Sequence, residues 1–115
     1  MVRKPEINFL FHITPIENVD NILRYGLLPK QSRWGRHGLG KRVYCAFKLE
    51  DALWYIDAFR RAKYNKHYAI FRIALQPLGW TWDVNSFHYD PEDWHRGVWT
   101  QHAIEPKRLA LVATV

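Results

Sequence analysis

Few residues in this 115-residue chain are placed to do chemistry. The only thiol, Cys45, lies inside the apolar run Val43 to Phe47, where a buried strand residue is expected. Ser32 and Ser86 lack the strand-turn-helix context that activates a nucleophilic serine. Asp90, Glu92 and Asp93 crowd into one loop segment, so they do not read as a separated acid–base pair. The six histidines show no metal-ligand spacing, and one cysteine cannot build a zinc site of several thiolates. Gly35 to Lys41 matches the spacing of a phosphate-binding loop. However, Arg42 takes the Ser/Thr position that would hold magnesium, and no strand-to-helix turn surrounds it. What remains is a spaced set: His12 and Thr14 after an apolar run, Tyr44 in a second run, and Tyr55 eleven residues further on.

The elements that position this set are readable from pattern. Ile7 to Phe11 reads as a buried strand that delivers His12 and Thr14 at its end. Thr14-Pro15-Ile16-Glu17 has the form of a helix start, with Thr14 as N-cap and Glu17 completing a capping box. A helix is predicted from about 15 to 25, closed by Gly26. Lys30 to Arg42 is a basic loop carrying Arg33, Arg36 and Arg42 and no acid. Val43 to Phe47 is a second strand. Leu49 to Arg61 is a second helix, with acids in its first turn and arginines in its last, as the helix dipole favours. Tyr68 to Leu75 is a third strand. Residues 76–97 read mostly as an aromatic loop, a lid or part of the core, with short strands near 79–83 and 97–102. Arg108 to Val115 forms a final strand. The sum is an α+β fold, two or three helices segregated from a strongly bent sheet.

Length fits one domain, residues 1–115. Seventeen Lys and Arg against eleven Asp and Glu give a net charge of +6, which favours anionic partners. No apolar run approaches the length of a membrane span, and Glu6 interrupts the start too early for a secretory signal. With a single cysteine, the expectation is a cytoplasmic protein of a reducing compartment, with no membrane partner and no metal site.

The segment Phe11-His12-Ile13-Thr14 through Ile22-Leu23-Arg24-Tyr25-Gly26-Leu27-Leu28 resembles the opening of the ADP-ribosyltransferase fold. It looks most like the DarT-type DNA-modifying toxins and is similar to the NAD-dependent RNA 2′-phosphotransferases. The spacing of Tyr44 and Tyr55 resembles the diphtheria-toxin and poly-ADP-ribose-polymerase branch. Ala103-Ile104-Glu105-Pro106-Lys107-Arg108-Leu109 resembles the fold's exit to its last strand. The resemblance covers roughly residues 8–60 and 97–115.

It implies a bent, split sheet, NAD as co-substrate, and specific roles. His12 would bond a ribose hydroxyl, and Thr14 or nearby backbone would help hold the nicotinamide side. Tyr44 and Tyr55 would sandwich the nicotinamide ring, and Arg33, Arg36 or Arg42 would meet the pyrophosphate. The family's catalytic glutamate lies on a late strand, where this chain has Gly97 to His102 and no acid. Gln101 occupies that neighbourhood, and Glu105 is the nearest acid. The expected acceptor is single-stranded DNA or RNA, or an anionic nucleic-acid-associated protein, as in a toxin or a phage-defence factor. The alternative is a catalytically inactive binding module on the same fold, such as an antidefence or regulatory factor.

Overall fold

The computed structural model describes residues 8–29, 42–62, 66–75, 88–89 and 96–115. Among the described residues, six strands form one antiparallel sheet: β1 (Phe9–Pro15), β2 (Val43–Ala46), β3 (Tyr68–Ala74), β4 (His88–Tyr89), β5 (Gly97–Thr100) and β6 (Leu109–Thr114). Their spatial order is β4-β5-β2-β1-β3-β6. The helices are α1 (Val19–Tyr25) and α2 (Leu49–Arg61), with short 3₁₀ turns at Ile16–Asn18 and Pro106–Arg108. The α+β class read from the pattern is the class observed.

Strand alternation sends neighbouring residues to opposite faces, and each face has its own apolar cluster. Leu10, Val43, Cys45, Phe71, Ile73 and Val98 gather on one face with Ile22 of α1. Ala46, Tyr68 and Ile70 gather on the other with Ala52 and Ile56 of α2. Because β3 is covered on both sides, Tyr68 to Phe71 form an unbroken buried run instead of an alternating one.

The sheet is unevenly stitched. β1 and β3 pair along their full length, from Phe9 opposite Ala74 to Pro15 opposite Tyr68. β1 and β2 share one registered pair, Phe11 opposite Ala46. Two well-paired halves, β4-β5-β2 and β1-β3-β6, therefore meet at a narrow seam.

Three expectations change. β1 reaches Pro15 instead of ending at Phe11, because the ladder to β3 holds His12 and Thr14 within the strand. Thr14 is consequently buried in β1 and is not a helix N-cap; its Oγ1 accepts from Asn18 Nδ2 at 3.1 Å. The helical segment divides into a 3₁₀ turn and α1. The expected strand near 79–83 lies outside the described residues. α2 has the predicted bounds, with Glu50 and Asp51 in its first turn and Arg60 and Arg61 in its last. Gly26 closes α1 at φ 84°, where its N–H donates to the Ile22 carbonyl. A Cβ there would lie 2.2 Å from the Ile104 oxygen, so only glycine fits this approach.

Candidate functional site

The seam between β1 and β2 is where the two sequence motifs meet. His12 Nδ1 lies 2.7 Å from the Tyr44 carbonyl oxygen, across 32 residues of chain. A carbonyl only accepts, so Nδ1 carries the proton and, in the neutral ring, Nε2 is the acceptor nitrogen. In a continuous ladder that carbonyl would face a backbone N–H. Here an imidazole occupies the place, at the point where registered pairing between β1 and β2 has stopped.

The two tyrosines lie on one face. Tyr44 stands between Val43 and Cys45, which point into the α1-side cluster, so its own side chain takes the α2 side with Ala46. Tyr55 projects from α2 onto the same face and packs with that cluster. Its hydroxyl reaches the sheet over Gly97, where an added Cβ would stand 2.9 Å from Oη and 3.2 Å from the Cys45 carbonyl. Trp54 meets Tyr55 edge-on at 5.3 Å, and Phe59 lies 6.4 Å from it on the other side along the helix. The Arg96 guanidinium covers Trp54 at 4.1 Å. His12 has the parity of Leu10, on the α1 side. The imidazole and the two phenols therefore approach the seam from opposite sides of the sheet.

The remaining candidates are spread out. Thr14 is buried one turn of the pleat beyond His12 and serves Asn18. Arg42 stacks its guanidinium on Trp99, 3.5 Å from the ring centroid. Gln101 is exposed, the first residue past β5, and continuing the β2–β5 register sets it across from Arg42. Glu105 is exposed in the exit turn. It pairs with Lys107 at 3.2 Å and its carbonyl accepts the Arg108 N–H, which fits the structural role of that turn. Arg33 and Arg36 lie outside the described residues, as do Trp80 and Trp82 of the aromatic loop. Among the described residues, no three of His, Cys, Asp and Glu gather as a metal site. Among them too, no helix is long and apolar enough to cross a membrane.

Burial pushes the Cys45 thiol far above its ordinary range, which removes it as a nucleophile. Burial also raises the Asp51 carboxyl, against the opposing pull of Lys48 and Arg96.

Sequence reasoning missed Gly97, His88 and Trp99. The signal was present for Trp99: it alternates with Val98 and Thr100 as Arg42 and Tyr44 alternate with Val43 and Cys45. That is the mark of two strands with one decorated face. No protein-family model matches the chain, and no curated protein is similar to it by sequence.

Proposed function

We propose that this chain is an NAD-dependent ADP-ribosyltransferase-like domain that acts on nucleic acid or a nucleic-acid-associated protein. The reading rests on one observation, the His12–Tyr44 bond at the seam. It joins residues of both resembling segments beside the single registered pair that β1 and β2 share. NAD lying in the seam would meet the imidazole on one side and the phenols of Tyr44 and Tyr55 on the other. The chain's part in the reaction would then be positional. The His12 ring, fixed by Tyr44, presents Nε2 to a ribose hydroxyl, and the phenols hold the nicotinamide ring in place. The bond from ribose C1′ to the nicotinamide nitrogen breaks, and its electron pair leaves with nicotinamide. A nucleophile on the acceptor forms the new bond to C1′ and releases its proton to solvent.

The test is nicotinamide release from NAD by wild type and His12→Ala, without acceptor and with single-stranded DNA, RNA and cell lysate. Release that disappears in the variant supports the reading. No release from folded protein under any of these conditions overturns it.

A second reading, a non-catalytic module on the same fold, is favoured by Gln101 and Glu105. The first carries no charge, and the second is engaged by Lys107 in the exit turn. Saturable NAD binding without cleavage, lost in Tyr44→Ala, would select it.

A further inference from the structure

The face that carries Tyr44 continues across β5 to the outer strand β4. Trp99 is registered opposite Tyr44 on one side and opposite His88 on the other. The side chains of Arg42, Tyr44, Trp99 and His88 therefore share one face across three strands. The His88 ring stacks on Trp99 with centroids 4.3 Å apart and planes 25° from parallel. The Arg42 guanidinium carbon sits 3.5 Å from the same centroid. Two groups this close to one centroid cannot share a ring face without colliding. The indole is thus sandwiched, guanidinium on the β2 side and imidazole on the β4 side. Trp99 and Arg42 are half-buried, and His88 is exposed at the outer strand of the sheet.

We propose that this column is a docking surface for single-stranded nucleic acid. Its outer end is an exposed imidazole on the outermost strand among the described residues, where an unpaired base can add to the stack. Stacking of this kind tolerates any base, since every base has a π face. Its inner end is a guanidinium, which stacks through its face and holds its N–H donors in its own plane, the fork geometry that matches phosphate oxygens. A base and its phosphate supply both halves of that complement. An acidic peptide supplies only the charge and leaves the imidazole–indole platform without a use. The net charge of +6 adds attraction at longer range. The proposal deepens the transferase reading by naming the acceptor's class and its place beside Tyr44, but binding at the column needs no NAD.

Fluorescence anisotropy of short labelled oligo-dT and oligo-rU, with the full chain and no NAD, tests it. Wild type should bind both, more weakly as salt rises. His88→Ala should weaken binding about tenfold, within the range for loss of one stacked base. His88→Phe, which keeps a stacking ring, should retain it. Arg42→Gln should lower the salt slope by about one. Unchanged binding in both His88→Ala and Arg42→Gln overturns the proposal. So does binding of polyglutamate in place of the oligonucleotides. Circular dichroism confirms that each variant is folded. Acceptor-free nicotinamide release, followed in wild type and His88→Ala, separates the two readings. Column-dependent oligonucleotide binding with no release leaves the surface standing and the transferase reading fallen. Release equal in both proteins, without column-dependent binding, does the reverse.

Discussion

His12 and Tyr44 are joined side chain to backbone: the imidazole donates Nδ1–H to the Tyr44 carbonyl at 2.7 Å, between strands that share a single registered pair. The bond substitutes for a rung of the sheet and fixes the ring's tautomer at the same time. A residue that can donate from a similar position should replace the rung without replacing the ring. His12→Asn should therefore recover part of the stability lost in His12→Ala, which is set at about 1 kcal/mol by the loss of one hydrogen bond. Neither variant should release nicotinamide. Urea unfolding read beside the release assay checks both halves, and activity that tracks stability across the pair would reduce His12 to a structural residue.

Gly97 should be irreplaceable because of what lies over it. A methyl group there meets the Tyr55 hydroxyl at 2.9 Å and the Cys45 carbonyl at 3.2 Å. Gly97→Ala should destabilise by about 1–3 kcal/mol, the range for overpacking. Tyr55→Phe removes the nearer obstacle, so the double variant should lose less than the sum of the singles. A double-mutant cycle by denaturant unfolding measures that coupling. Strict additivity would mean that the backbone carbonyl, not the phenol, sets the limit.

Gly26 is held by two constraints at once. Its φ of 84° disfavours any side chain, and a Cβ would collide with the Ile104 oxygen. Leu27 and Ile104 exchange backbone hydrogen bonds at 2.9 Å in each direction, so the collision falls on a bridge. Gly26→Ala should lower stability by about 2–4 kcal/mol, combining left-handed strain with a broken contact. Thermal melting checks this. Asn tolerates positive φ only near left-handed helical ψ, far from the −172° found here, and should fare no better.

Cys45 gives a pH signature with a definite sign. Its thiol is raised by burial in the folded state and returns to about 8.5 on unfolding. Below that value both states hold the proton, and the thiol adds no pH dependence. Above it the unfolded state ionises first, and stability falls by up to about 1.4 kcal/mol per pH unit. The difference between wild type and Cys45→Ala, measured by urea unfolding from pH 7 to 10, should show this slope. Native protein should react with a thiol reagent far more slowly than unfolded protein.

Some of this molecule is written locally. α2 carries its charges at the correct ends and its apolar positions on one side, so its bounds can be read from Leu49 to Arg61 alone. Gly26 announces the end of α1 in the same way. β1 could not be bounded locally, because polar His12 and Thr14 stay in strand through the partner residues Phe71 and Ala69. Thr14 had the right neighbours for a cap, but the ladder claimed it first. In the site, the residues of the His12–Tyr44 pair were visible as types and spacing. Their contact was not, since it depends on where β1 and β2 part. The Arg42–Trp99–His88 column was least legible: its three residues lie on separate strands that meet only through register, and β4 is two residues long.

The pairing order also governs how the chain can assemble. β3 lies between β1 and β6, and Ile73 is registered with Leu109 across 36 residues of sequence. During synthesis, one edge of β3 has no partner until residues 109–114 have been added. Phe71, Ile73 and their neighbours must wait through the making of the segments that form β4 and β5. Pairings over such separations are slow to find and expose apolar edges meanwhile. This half of the sheet should close last, after α2 and β2, and a nascent chain stalled before residue 109 should be a target for chaperones that hold exposed strands.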